Sequence, residues 1–353
     1  MSIRVEPSVH GALDYAELEG LGIHPNDVLD FSVNSNPFGP SPRVWEAIRS
    51  TPLERYPDRE STALRREISK QLDIPPEHIM LGNGTAELIQ LAAFAFLQKG
   101  DHALIVDPTF GEYERSTRLM GANIHRWRAV PEKRFMPQPA EIQKKLSEHE
   151  MRLVFICNPN NPTGQVLPWE ILNAWSHIYP GTLFVVDEAY QPFAQDMGSA
   201  VSLRGKNILV LRSMTKDHAI AGLRLGYAVG DRTVIAALIN LRSAWNVNAL
   251  AQAAGLAALQ DKKHLSGTLA KLREEKEVLI LGLKELGYDP IPSRTNYFLL
   301  PVENGAQFRQ KLLGRGMLVR DCASFGLPAH VRIATRKAGE NRRLLNAIRE
   351  MYS

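Results

Sequence analysis

Lys216 stands in Ser213-Met214-Thr215-Lys216, just after the apolar run Asn207-Ile208-Leu209-Val210-Leu211. Arg224 follows eight residues later, in Ala221-Gly222-Leu223-Arg224-Leu225-Gly226-Tyr227. A lysine held on a rigid strand end can condense with an aldehyde. Two hydroxyls and a guanidinium beside it can hold a phosphate. Pyridoxal 5'-phosphate carries both groups on one molecule, and it is the cofactor this grouping points to. A lysine after a strand is by itself only a solvated surface charge. The reading therefore rests on what accompanies it.

Gly82-Asn83-Gly84-Thr85-Ala86-Glu87 follows an apolar run and opens a helical pattern. Backbone amides at such a turn, at Gly84, Thr85 and Ala86, make a phosphate cradle. Asp187 ends Phe184-Val185-Val186 and can pair with a protonated pyridine nitrogen; a helix N-cap would use the same residue. Asn161 lies in the tight turn Asn158-Pro159-Asn160-Asn161-Pro162-Thr163-Gly164. With Tyr190 it can hydrogen-bond a phenolic ring oxygen. Phe110, in Asp107-Pro108-Thr109-Phe110, can stack on the ring or pack in the core.

The elements that must position these residues follow an α/β rhythm. Expected strands are 79–81, 103–106, 153–157, 183–186, 208–211 and 227–229. Expected helices are 63–71, 86–97, 169–177 and 234–241. A mostly parallel central sheet flanked by helices collects ligands beyond the carboxyl ends of its strands, where these motifs fall. After about residue 245 the pattern changes. Long helices are expected at 249–259 and 264–286, strands at 297–300, 317–320 and 331–334, and a last helix at 340–351. The expected division is an amino-terminal arm (1–42) that joins the small domain, a large cofactor domain (43–248) and a smaller α+β domain (249–353).

In this order the motifs resemble those of the class I/II aminotransferases, the fold-type I pyridoxal-phosphate enzymes, over nearly the whole chain. The resemblance implies that Lys216 carries the cofactor and shuttles the proton. It implies that Ser213, Arg224 and the amides of Thr85 and Ala86 hold the phosphate, and that Asp187 pairs with the ring nitrogen. Asn161 and Tyr190 would hold the phenolic oxygen and Phe110 would stack on the ring. Tyr56, in Arg55-Tyr56-Pro57-Asp58, would reach the phosphate of a neighbouring subunit, which implies a homodimer with shared active sites.

On the substrate side the resemblance assigns Arg332, in Val331-Arg332-Ile333-Ala334-Thr335-Arg336, to an α-carboxylate, with Arg336 nearby. Asn34 and Asn36 match an arm closing over the substrate, and Arg320 a contact to a distal phosphate. For each arginine a surface salt bridge is the plain alternative. Two subgroups are most similar: histidinol-phosphate aminotransferases and threonine-phosphate decarboxylases. His10-Gly11, Leu29 to Pro37 and Trp245 to Leu250 resemble the second, although Ala12 replaces its usual second glycine and puts a phosphate role for His10 in question. Asp217 and His218, directly after the lysine, either cap the following turn or face the substrate. A carboxylate there would favour a cationic, guanidino substrate.

The expected activity is transamination of an amino acid. Decarboxylation of a phosphorylated amino acid, elimination or cyclisation of a basic amino acid, and a non-catalytic protein of this fold are the alternatives. The chain has 353 residues, 44% of them hydrophobic and 23% charged, enough for two domains or one large domain with a satellite. The net charge of +4 is spread without a basic block, which argues against nucleic acid and allows anionic ligands. Cys157 and Cys322 offer no metal spacing or disulfide framework and fit a reducing cytoplasm. The amino terminus has no apolar signal core, no run is apolar enough to span a membrane, and no metal ligand is assigned. No Gly-x-Gly-x-x-Gly turn follows the early strands, which disfavours a dehydrogenase.

Overall fold

The computed structural model describes residues 11–194, 196–203 and 205–351. Its strands are β1 (Leu29–Asp30), β2 (Ile79–Gly82), β3 (His102–Asp107), β4 (Asn123–Arg128), β5 (Met151–Cys157), β6 (Leu183–Asp187), β7 (Ile208–Ser213), β8 (Gly226–Gly230), β9 (Tyr297–Pro301), β10 (Met317–Leu318), β11 (Arg320–Asp321) and β12 (His330–Ala334).

Seven strands form one sheet in the order β2-β8-β7-β6-β5-β3-β4. All the pairings are parallel except the two made by β8. Strands β6 and β7 are almost wholly buried because helices cover both faces. One face packs Leu104, Val154, Phe184, Val186 and Val210 with Leu64, Leu172 and Ala254. The other packs Ala103, Leu153, Val185 and Leu209 with Leu88, Ala92 and Ile235. The strand register sets Cys157 beside Asp187, and Asp187 beside Leu211. The carboxyl ends of β5, β6 and β7 therefore open on one crevice.

A helix at Lys262–Glu285, about 36 Å long, leads to a smaller antiparallel sheet, β11-β12-β9. Its core is Phe31, Leu279, Leu283, Phe298, Leu300, Val331, Ile333 and Leu344. The amino-terminal segment packs onto this unit. Strand β1 pairs in parallel with β10, and the Ala334 N–H donates to the Phe31 carbonyl at 2.9 Å.

Two expectations change here. The strand expected at 317–320 is two: Met317–Leu318 pairs with β1, and Arg320–Asp321 with β12. The chain crosses from one sheet to the other at Val319. The seventh strand of the large sheet, Asn123–Arg128, was not expected; it lies at the sheet edge and carries Asn, His and Arg where interior strands carry aliphatics. Among the described residues no helix is long and apolar enough to cross a membrane.

Candidate active site

Lys216 follows the carboxyl end of β7 and is half-buried. Its carbonyl accepts the Asn36 N–H at 2.8 Å, which ties the lysine loop to the amino-terminal arm. Burial lowers its ammonium to about 8, and the cations Arg332 and Arg224 push the same way against Asp187. A neutral, nucleophilic amine is thus accessible near physiological pH.

Asp187 is buried at the end of β6. Its Oδ2 accepts from the Tyr113 hydroxyl at 2.8 Å and its Oδ1 from the Ala189 N–H at 3.0 Å. Desolvation raises the carboxyl to about 6, and those two hydrogen bonds only partly offset it. Tyr113, from helix Glu112–Leu119, is fully buried and stacks on Phe155 at 5.0 Å. Phe110 is half-buried and meets Tyr113 edge-on at 5.8 Å. Tyr113 is not marked in the sequence, because its helix is polar. Its i+3 spacing from Phe110 was the available signal.

The turn at Gly84 is built by close approach. Gly84 starts helix Gly84–Phe96 with φ +74°, and a Cβ there would lie 2.7 Å from the Arg224 guanidinium. A Cβ on Gly226 would lie 3.0 Å from the Thr85 amide nitrogen. The first-turn amides have no partners within their own helix. The Ser213 and Thr215 hydroxyls are 2.7 Å apart at the end of β7. Glu87 accepts the Asn83 N–H at 2.6 Å and the Asn246 amide at 2.8 Å, which fixes the turn. Neither Glu87 nor Asn246 was assigned a role from sequence.

Arg332 is buried in β12. It donates to Asn161 Oδ1 and, at 2.5 Å, to the Ser32 carbonyl, and it lies 5.4 Å from the Tyr297 ring centroid. Its Nε is buried without a hydrogen-bond partner among the described residues, as is Asn34 Oδ1. The Asn34 amide donates to the Tyr190 hydroxyl at 3.3 Å. Burial holds that phenol up at about 12. Arg320 sits directly across from Arg332 in the β11–β12 register and donates to Ser324 at 2.7 Å. Burial and the Arg332 charge both lower its affinity for its proton. Their strand register and mutual electrostatic effect set two cations on the same face of one sheet, an arrangement that suits an anion. Arg336, by contrast, is held by Glu340 and the Asp30 carbonyl.

Asp217 is buried, accepts the His218 N–H at 3.0 Å, and has its other oxygen 3.7 Å from His218 Nε2. Its charge also acts on the buried Tyr227 phenol. Tyr56 is exposed and stacks on Trp245 at 4.6 Å. His10 lies outside the described residues. The structure thus gathers Lys216, Asp187, Tyr190, Asn161, Asn34 and Arg332 at one crevice, with Gly84 and Arg224 in contact beside it.

The family model for aminotransferase class I and II matches residues 26–348. A histidinol-phosphate aminotransferase of Symbiobacterium thermophilum is 36% identical over 353 residues, covering 98% of this chain and 96% of that protein. Histidinol-phosphate aminotransferase 1 of Thiobacillus denitrificans is 35% identical over 340 residues, 94% and 88% of the two chains. Among solved structures, the histidinol-phosphate aminotransferase of Clostridium acetobutylicum superposes with TM-score 0.84 at 26% identity, covering 92% of this chain and 99% of that one. The Sinorhizobium meliloti enzyme in complex with pyridoxal-5'-phosphate has the same fold, with TM-score 0.86 at 22% identity over 95% and 94%.

Proposed function

This chain belongs to the class I and II aminotransferases, and from that premise we propose that it is a pyridoxal-phosphate-dependent transaminase whose amino substrate carries a phosphate, as histidinol phosphate does. The observation that carries the substrate class is the facing pair Arg320 and Arg332, with a buried Arg332 Nε that has no partner among the described residues. One carboxylate needs one guanidinium. A phosphate dianion matches two. The cations acting on Lys216 also favour an anionic substrate over a guanidino one, while the Asp217 carboxylate accepts the His218 N–H and its carbonyl accepts the Asn36 amide.

The residues present fit the cofactor. The turn at Gly84 leaves room that a side chain would fill, and Arg224 borders it. Ser213, Arg224 and the amides of Thr85 and Ala86 would hold the phosphate. Asp187, a buried carboxylate among neutral hydrogen-bond donors, would meet the ring nitrogen. Asn161 and Tyr190 would hold the phenolic oxygen, and Phe110 the ring face. When bound, the cofactor supplies an electron sink that lets a proton leave the carbon bearing the substrate amine.

The chain's own work is to bind, orient and move that proton. Arg332, Arg320 and Asn34 anchor the substrate's anionic end. Lys216, with its ammonium held near 8, takes the proton from the α-carbon and delivers it to the carbon that carried the cofactor's aldehyde, the net shift that transamination requires. Tyr113 fixes the carboxylate of Asp187. Exposed Tyr56 is available to a second subunit, which supports a homodimer with shared sites. The division into an arm (1–42), a cofactor domain (43–248) and a small domain (249–353) accompanies this reading.

The test is a substrate panel on cofactor-loaded protein with 2-oxoglutarate as amino acceptor. Turnover of histidinol phosphate with glutamate formation is expected. Carbon dioxide release from phosphothreonine, or turnover confined to basic amino acids, would replace the proposal with decarboxylation or with guanidino chemistry.

A further inference from the structure

Three histidines far apart in the chain meet at the opposite end of the large sheet from Lys216. His102 opens β3, His125 lies within β4, and His149 precedes β5 by two residues. Strand β3 is bonded to both neighbours, with His102 level with Met151 and Leu104 level with His125. His102 and Leu104 share a face of β3 because side chains alternate along a strand. The sheet register therefore brings His102 and His125 together, and His149 joins them from the turn before β5.

Each ring offers a nitrogen, and these nitrogens all lie within 4.8 Å of one another. His102 Nδ1 and His125 Nε2 are 2.8 Å apart. The His149 ring stacks on that of His102 at 4.7 Å and lies 4.2 Å from that of His125. His102 and His125 are half-buried, and His149 is exposed. His102 Nδ1 and His125 Nε2 stand at hydrogen-bond distance, so one of the two rings takes its other tautomer when both nitrogens face an ion.

We propose that His102, His125 and His149 form a site for one divalent transition ion of the zinc, cobalt or nickel kind, with water completing its coordination. Metal–imidazole bonds of about 2.0–2.1 Å put tetrahedral ligand nitrogens about 3.3–3.4 Å apart. The observed spread around that value is met by ring rotations and shifts of about 1 Å. Three imidazoles select zinc, cobalt, nickel or copper and do not suit calcium or magnesium, which take oxygen ligands. The ion would join β3, the edge strand β4 and the segment entering β5. It lies a strand's length, about 20 Å, from the end of the sheet that carries Asp187. Its role is to pin the sheet edge, outside the reaction.

The test uses untagged, cofactor-loaded protein freed of metal by chelator and desalting. Cobalt titration is followed by absorption, and zinc by calorimetry. One ion per chain is expected. His149→Gln, at an exposed position, and His125→Gln should each weaken binding by at least the roughly 10–100-fold typical of changes around a metal site. The absorption of the bound cofactor should be unchanged in His149→Gln. Lack of saturable one-to-one binding in the wild type, or undiminished affinity in both variants, would overturn the assignment.

Discussion

Replacing Asp187 by Asn should stabilise the cofactor-free protein while disabling the enzyme. The unfolded chain gives up the Asp187 proton near 3.8, but burial holds it to about 6 in the folded protein. Between those values the folded state binds more proton than the unfolded state, so stability falls as pH rises. By pH 7 the loss is complete, and its size is about 3 kcal/mol. Asn carries no charge, yet it can accept from the Ala189 N–H through its oxygen and donate to the Tyr113 hydroxyl through its nitrogen. Urea unfolding of cofactor-free protein should show Asp187→Asn more stable at pH 7. About half of that gain should remain at pH 5, and it should shrink further toward pH 4. On the proposed placement of the ring nitrogen against Asp187, the loaded variant loses a charged partner, a bond of about 1.5–3 kcal/mol. Its turnover should fall roughly 10–150-fold. No gain in stability at pH 7, or wild-type turnover, would refute the reasoning that a functional carboxylate is buried here at a cost.

Tyr113→Phe removes a hydrogen bond that favours the Asp187 carboxylate. The acid limb of the activity profile should move to higher pH, which a pH series of kcat/KM will read. Arg332→Lys loses the planar fork that meets Asn161 and Ser32. The KM for a phosphorylated substrate should rise roughly 10–150-fold, since a charge-assisted bond of about 1.5–3 kcal/mol is lost. Gly84→Ala places a Cβ 2.7 Å from the Arg224 guanidinium at φ +74°. About 1–2 kcal/mol of left-handed backbone strain should accompany weaker cofactor retention, measured by equilibrium dialysis.

The interior strands were legible because burial on both faces demands unbroken aliphatic runs, as in Leu153–Cys157 and Ile208–Leu211. The edge strand Asn123–Arg128 has one half-open side and no such run, so nothing marked it. Helix Glu112–Leu119 is likewise polar in composition, and Tyr113 was hidden within it. Among the site residues, Lys216, Asp187 and Arg332 stand at strand ends or on strands, where position follows from pattern. Glu87 and Asn246 act through a hydrogen bond between segments 159 residues apart. His102 and His125 meet through sheet register and His149 joins them from the turn before β5, which no local spacing reveals.

Lys216 is proposed to serve a pyridoxal-phosphate transaminase, and the cofactor's color reports on it directly. Purified protein loaded with cofactor should be yellow, and the color should be absent in Lys216→Ala. Mixing one equivalent of histidinol phosphate with the loaded wild type, without an acceptor, should bleach that band and leave pyridoxamine phosphate stoichiometric with enzyme. A colorless wild type, or a band that returns with release of carbon dioxide or ammonia, would contradict the account.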